Sequence, residues 1–136
     1  MNPEIPEITP PEAAERCREN SDTVIIDVRS QVEDEYVGHP IGALHVPWKE
    51  FPDWQENDAF CQQVDAVLGA EADLNRPLLI LCRSGVRSMA AAKKLSAHGY
   101  TNVANIAEGF EGDKDEHKHR STINGWRFHG LPWEQG

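Results

Sequence analysis

Residues 78–88 read LLILCRSGVRS and place a cysteine where it can act as a nucleophile. An apolar run, which predicts a buried strand, leads directly to Cys82, and a helix is predicted to begin near Val86. Arg83 and Arg87 add two positive charges, and the loop N–H groups and the positive end of the helix dipole face the thiol. All these effects favour the thiolate, the form that attacks sulfur or phosphorus. We therefore predict that Cys82 is the catalytic nucleophile.

The residues that follow Cys82 are predicted to bind an anionic substrate. Gly85 permits a turn or a close approach that a side chain would hinder, and the serines offer hydroxyl groups. The predicted binding set is Arg83, Ser84, Gly85, Val86, Arg87 and Ser88. The alternative is a core cysteine at a strand end, but two arginines and a glycine have no evident packing purpose there. Cys17 and Cys61 lie on apolar helix sides without nearby cations, so we interpret them as packing residues.

Strands alternate with helices along the chain. The sequence predicts strands at 23–28, 44–46, 77–81 and 102–106, and helices at 10–19, 58–68 and 86–98, with Thr9 and Glu12 forming a capping box at the first helix. The clearest strands are apolar on both faces, which is typical of a parallel sheet covered on both sides. Ligands bind such sheets at the carboxyl ends of the strands. The segment from Asp27 to Arg29 and the Cys82 loop both arrive at that edge.

Size and charge narrow the class of protein. The chain has 136 residues and a net charge of −10, which predicts one domain (residues 8–136 after a tail at 1–7) and argues against nucleic-acid and anionic-membrane partners. Three widely spaced cysteines make a poor disulfide framework. The N-terminus does not resemble a signal peptide, and no stretch approaches transmembrane length. We expect a soluble, cytoplasmic protein.

Several motifs together resemble the rhodanese family of single-domain thiosulfate sulfurtransferases. They are Asp27-Val28-Arg29, Glu35-Tyr36-Val37-Gly38-His39 running into Gly42-Ala43, Cys82 to Ser88, Gly99-Tyr100, and Gly130-Leu131-Pro132. The resemblance implies an α/β fold with a five-stranded parallel sheet and helices on both faces. It implies a persulfide on Cys82, formed from a sulfur-containing anion such as thiosulfate and passed to a thiol, to cyanide or to a sulfur-relay protein. It implies no metal and no organic cofactor.

The same resemblance suggests supporting roles for Asp27, Arg29 and Glu35. Arg29 is expected to pair with Glu35 and to brace the loop region rather than to take part in catalysis. His39 is expected to stabilise the turn after Gly38. Asp27 and Arg29 lie at a strand end on the functional edge of the predicted sheet.

Two departures from the family pattern stand out. Pro40 precedes Ile41, in the reverse of the usual order, and a charged segment at 111–125 separates Phe110 from Trp126. We expect the part from Asp113 to Arg120 to border the cysteine pocket and to select the sulfur acceptor or a partner protein. His117 and His119 in this segment offer nitrogen ligands for a metal, but hydrophilic runs of this kind are usually solvated loops.

Alternative functions share the same residues. Phosphatases and arsenate reductases on this fold place five residues between cysteine and arginine, so that the guanidinium grips a tetrahedral anion. Here the sixth residue after Cys82 is Ser88, and Arg87 comes one position early, which favours sulfur transfer. A persulfide carrier or interaction module stays open, whereas a catalytically silent binding domain is disfavoured because the cysteine loop is present.

Trp48, Phe51 and Trp54 are expected to pack in the core or, alternatively, to form an aromatic wall beside the cysteine.

Overall fold

A computed structural model describes residues 4–69 and 73–136 of the protein. In chain order the elements are β1 (Glu7–Ile8), α1 (Pro10–Glu19), β2 (Val24–Asp27), a π-helical turn (Glu33–Val37), β3 (His39–Pro40), β4 (Leu44–His45), β5 (Lys49–Glu50), β6 (Gln55–Glu56), α2 (Phe60–Leu68), β7 (Leu78–Leu81), α3 (Val86–His98), β8 (Val103–Ile106) and β9 (Trp133–Glu134).

A five-stranded sheet in the order β1-β8-β7-β2-β4 forms the centre of the fold. Every pairing in it is parallel, so the predicted α/β architecture is confirmed. The register places Asp27 beside Leu81, and β2 and β7 therefore end side by side. This alignment delivers Cys82 to the same edge as the polar segment that follows β2.

The sheet is apolar on both faces because successive side chains of each strand point alternately into two packed layers. In β7, Leu78 and Ile80 face α2 and α3, whose inward residues include Val64 and Leu95. Leu79 and Leu81 face the opposite layer, to which α1 and the C-terminal segment contribute. Helices thus cover both faces, as predicted. All four residues of β7 are buried, which holds the residue after the strand rigidly.

The capping residue of α1 and the terminal glycine of α3 lie where the sequence predicts them. The Thr9 hydroxyl accepts a hydrogen bond from the backbone N–H of Glu12 at 3.3 Å, which caps α1. Helix α3 spans Val86–His98 as predicted and ends at Gly99. Its N-cap, Gly85, has φ 108°, a left-handed conformation that favours glycine. The helix therefore begins within the cysteine loop.

The sequence missed several short elements. Strand β1 has two residues and pairs with β8, while β3 pairs with β9 and β5 pairs with β6 in separate antiparallel ribbons. Ile5 is 7% exposed and belongs to the core. The packed structure therefore begins before the predicted domain boundary at residue 8. Within the described ranges, no helix is both long and apolar enough to cross a membrane.

Candidate active site

Cys82 lies at the carboxyl end of β7 and is only 1% exposed. Its Sγ accepts a hydrogen bond from the backbone N–H of Gly85 at 3.1 Å. The Ser88 hydroxyl lies 3.2 Å from the same sulfur. The loop thus wraps around the sulfur and supplies donors from its turn and from the first turn of α3. Such donors stabilise negative charge on a sulfur atom, whether thiolate or persulfide.

Asn105, which the sequence analysis did not single out, connects this loop to the neighbouring strand. Its side chain is fully buried. Its Oδ1 accepts from the Ser88 hydroxyl at 2.5 Å, and its Nδ2 donates to the Gly85 carbonyl at 3.1 Å and to Glu7 Oε2 at 3.3 Å. Because Ser88 has one hydroxyl proton, Asn105 and the cysteine sulfur compete for it. A polar residue inside the apolar run of β8 was the available signal.

Arg87 forms a bidentate ion pair with Glu33 of the π-helical turn. The Nη1–Oε1 distance is 2.7 Å and the Nη2–Oε2 distance is 2.8 Å. Burial disfavours the Glu33 carboxylate, but Arg87 and hydrogen bonds from Ser30 outweigh this effect and lower the pKa of Glu33 to about 2. The Arg87 guanidinium also lies over the Trp54 ring, 5.2 Å from its centroid. Arg87 is therefore neutralised and held in place by protein groups.

A cavity of about 420 Å³ opens onto the cysteine. It is lined by Lys49, Trp54, Cys82, Arg83, Ser84, Val86 and Arg87. Within residues 4–69 and 73–136, the Arg83 and Lys49 side chains form no ion pair. Four of the predicted loop residues thus share a cavity with Cys82, while Gly85 and Ser88 contact the sulfur from behind. Lys49 is a further lining residue that the sequence did not indicate.

Arg29 pairs with Asp27, and the predicted pair with Glu35 is wrong. The Arg29 Nε–Asp27 Oδ1 distance is 2.9 Å and the Nη2–Oδ2 distance is 2.6 Å, with both side chains fully buried. Arg29 also donates to the Gly38 carbonyl at 2.5 Å. Glu35 is exposed and accepts from Gln31 instead, because the π-helical turn directs it outwards. The carboxylate that reaches the cysteine loop is Glu33, which pairs with Arg87.

The family model for the rhodanese-like domain matches residues 9–116. The chain belongs to the rhodanese-like domain family. The match includes both strands that deliver Asp27 and Cys82, and it ends within the charged segment that departs from the family pattern. The family resemblance and the fold predicted from the motifs are therefore confirmed.

Three relatives place this rhodanese-like chain among known proteins. It is 32% identical over 118 residues to an uncharacterized protein of Rickettsia rickettsii, covering 85% of each chain. It is 30% identical to thiosulfate sulfurtransferase GlpE of Haemophilus influenzae, covering 78% of this chain and 85% of that one. The crystal structure of Rv0390 from M. tuberculosis is similar, with 36% identity, a TM-score of 0.86, and coverage of 98% and 100%.

The charged insert supports the rhodanese-like loop from outside the cavity. Phe110 N–H donates to the Cys82 carbonyl at 2.8 Å, and the N–H groups of Glu111 and Gly112 donate to the Arg83 carbonyl at 3.0 and 3.2 Å. No residue from 113 to 120 lines the cavity. The expectation that this part borders the pocket is therefore wrong, because the base of the insert binds the back of the loop.

The tip of the insert has its own structure. Asp115 Oδ1 accepts from the backbone N–H groups of His117 and His119 at 2.8 and 2.9 Å, and its Oδ2 accepts from Thr122 at 2.7 Å. Both histidines are exposed. Asp115 thus serves as the acceptor that folds this turn.

The other two cysteines and Trp48 pack in or against the core, whereas Trp54 lines the cavity. Cys61 is 6% exposed and Cys17 is half-buried, and burial raises the pKa of each thiol. Both cysteines therefore behave as packing residues, as predicted. Trp48 packs in the core against Phe60 with ring centroids 5.2 Å apart. Trp54, in contrast, lines the cavity and is 43% exposed.

Proposed function

We propose that this chain is a sulfurtransferase in which Cys82 carries sulfane sulfur as a persulfide. The observation that carries the proposal is the position of Cys82 Sγ at a cation-lined cavity, with donors from Gly85 and Ser88 within 3.2 Å. The membership in the rhodanese-like family and a relative named as a thiosulfate sulfurtransferase support the same chemistry.

The first step is attack by the Cys82 thiolate on the outer sulfur of thiosulfate. An S–S bond forms to Cys82, the S–S bond of thiosulfate breaks, and sulfite leaves with the electron pair. Arg83 balances the charge of the incoming anion and of the leaving group. The Gly85 N–H and the Ser88 hydroxyl hold the negative charge on the cysteine sulfur before attack.

The second step returns the enzyme to its starting form. Cyanide or a thiolate attacks the outer sulfur of the Cys82 persulfide, which releases thiocyanate or a new persulfide and regenerates the Cys82 thiolate. Atoms and charge balance in both steps, and no electron acceptor is needed. The residues that act are all on this chain.

The short loop supports sulfur transfer over phosphoryl transfer. A phosphatase needs its loop arginine directed at the tetrahedral anion, whereas both terminal nitrogens of Arg87 are committed to Glu33. The persulfide-carrier alternative uses the same chemistry with a protein as donor.

The test is steady-state turnover of thiosulfate and cyanide, measured as thiocyanate. Wild type, Cys17→Ser and Cys61→Ser should be active, and Cys82→Ser should be inactive with an unchanged circular dichroism spectrum. The same assay with a protein persulfide as donor separates a carrier from a free-standing enzyme. Substantial thiocyanate formation by Cys82→Ser would overturn the proposal.

A further inference from the structure

The cavity beside Cys82 is much larger than a small inorganic anion requires. Its volume is about 420 Å³, whereas about 10–15 Å³ of such space holds one water molecule. Pockets of about 300–1,000 Å³ are typical of sites for organic ligands. The cavity therefore leaves room beside Cys82 for a substrate that extends beyond the sulfur that is transferred.

Two cations line this cavity from different segments. Arg83 comes from the cysteine loop and Lys49 from β5, and neither forms an ion pair within the described residues. The third cation, Arg87, is neutralised by Glu33. The chain has a net charge of −10 and as a whole repels anions, so Lys49 and Arg83 create a local positive region. Lys49 and Arg83 thus indicate an anionic group on the ligand, in addition to its sulfur.

Trp54 gives the same cavity an apolar wall. It lies in the turn between β5 and β6 with φ 54°, a conformation that is uncommon for a bulky residue. Its backbone N–H donates to the Glu50 carbonyl at 2.7 Å, and its ring is held against the Arg87 guanidinium. Its exposed fraction is 43%, which leaves indole surface available for carbon atoms of a ligand.

We propose that the sulfur donor in this cavity is an organic persulfide that carries a carboxylate. Lys49 and Arg83 bind the carboxylate, Trp54 contacts the carbon skeleton, and the persulfide sulfur faces Cys82. Lys49 is then a specificity-determining residue. A thiol-bearing amino acid or peptide has the required chemistry, because a carboxylate lies a few bonds from its sulfur. This inference rests on the proposed function and names its donor class.

The transfer step is a sulfur exchange without net oxidation. The Cys82 thiolate attacks the outer sulfur of R–S–SH, the donor S–S bond breaks, and R–S⁻ leaves with the electron pair. The new S–S bond joins Cys82 to the transferred sulfur, which keeps its proton. One S–S bond is made and one is broken, so no further reactant is required.

The experiment compares two donors that differ only in one charge. N-acetylcysteine persulfide has a free carboxylate, and N-acetylcysteine amide persulfide has a neutral amide of nearly the same size. The rate of sulfur loading onto Cys82 is measured by mass spectrometry of the intact protein, with thiosulfate as a third donor. Lys49→Met is the test variant. Lys93→Met, an exposed lysine on α3 outside the cavity, makes the same change in net charge.

The wild type should load from the carboxylate donor at least about tenfold faster than from the amide, as expected for a charge-assisted hydrogen bond. Lys49→Met should lose most of this preference, and Lys93→Met should keep it. Trp54→Ala should slow loading from both organic donors by a larger factor than loading from thiosulfate. Melting temperatures of the variants show whether each remains folded.

Equal rates for the two organic donors in the wild type would overturn the inference. If Lys49→Met and Lys93→Met lose the preference for the carboxylate donor equally, the inference is also overturned, since the preference would then come only from long-range electrostatic attraction. Loading from thiosulfate or from a protein persulfide, but from neither organic donor, would reject the inference and leave the proposed function standing. Loading from no donor at all would reject the proposed function itself.

Discussion

Arg87 and Glu33 form a two-pronged ion pair, at 2.7 and 2.8 Å, that joins the cysteine loop to the π-helical turn after β2. Their side chains are 17% and 13% exposed. A pair with this geometry and little solvent around it fixes the loop more firmly than a surface pair would. The pair also decides which loop arginine is available to a ligand, because it leaves Arg83 as the loop cation without a carboxylate partner among the described residues.

Removal of the Glu33 charge should destabilise the fold in a pH-dependent way. The pKa of Glu33 is lowered from 4.5 to about 2, so the pair stabilises the protein above about pH 4.5 and this contribution is lost as the pH falls towards 2. At pH 7, Glu33→Gln should lower the free energy of unfolding by on the order of 2–3 kcal/mol. The difference from wild type should shrink at pH 3. Urea unfolding at both pH values measures it.

Glu12→Gln is the matched control, because Glu12 pairs with Arg16 on the surface of α1 with both side chains about half exposed. Glu12→Gln should lower the free energy of unfolding by no more than about 1 kcal/mol. If both glutamine variants change stability equally at pH 7, the Glu33 pair does not brace the loop.

The two loop arginines should respond differently to substitution. Arg83→Met should raise the KM for thiosulfate while leaving the melting temperature and the use of a neutral persulfide nearly unchanged, since Arg83 is exposed at the cavity. Arg87→Met should lower the melting temperature and reduce activity with charged and neutral donors alike. Steady-state kinetics with both donors and thermal unfolding measure these effects. The reverse pattern would mean that Arg87, not Arg83, contacts the anion.

Ser88 and Asn105 should act on the cysteine through one shared proton. Ser88→Ala removes the hydroxyl that lies 3.2 Å from Sγ and should lower kcat/KM about tenfold, since hydrogen bonds to charged groups contribute about 1.5–3 kcal/mol. Asn105→Ala should lower both activity and melting temperature, because Asn105 also holds the Gly85 carbonyl. Ser96→Ala on the same helix is the control. Full activity in Ser88→Ala would exclude a role for its hydroxyl.

Gly109, which packs against the cysteine loop, should tolerate substitution much less than Gly130. Its φ is 69°, and a Cβ there would lie 2.5 Å from the backbone carbon of Arg83. Gly130 has nearly the same φ, 70°, with nothing within 4 Å of its Cβ position. Gly130→Ala should therefore show only the left-handed cost of about 1–2 kcal/mol, whereas Gly109→Ala adds a steric cost of about 1–3 kcal/mol.

Unfolding free energies and thiosulfate turnover of the two variants provide the comparison. Gly109→Ala should be the less stable and less active variant because the clash moves the Arg83 backbone next to Cys82. Equal stability and equal activity would show that the insert base does not hold the cysteine loop.

The sequence predicted the architecture well because local signals and burial agreed. Strands such as Leu78–Leu81 are apolar throughout, and α3 has glycine at both ends. The short ribbons were missed since two-residue strands carry no periodicity. Charge partners were harder to predict, because Arg29 pairs with Asp27, two residues away, whereas Glu33 pairs with Arg87, which lies 54 residues further along the chain. Pairing therefore depended on tertiary geometry.

The site was predictable where one segment builds it and not where distant segments meet. Cys82 and its loop lie in one short stretch, so their spacing was informative. Lys49 and Asn105 reach the site from other elements, and of the two only Asn105 carried a signal, as a polar residue inside the apolar run of β8. The insert was predicted to border the cavity because it leaves the sheet at the same edge as the cysteine loop and is too polar for the core, whereas its backbone binds the back of the loop.

The most direct test of this account is the location of the transferred sulfur. The protein is incubated with thiosulfate without an acceptor, then alkylated, digested and analysed by mass spectrometry of each cysteine-containing peptide. We predict one added sulfur on the peptide with Cys82, none on those with Cys17 or Cys61, and loss of the added mass on treatment with cyanide. Sulfur on another cysteine, or none on Cys82 in folded protein, would contradict the account.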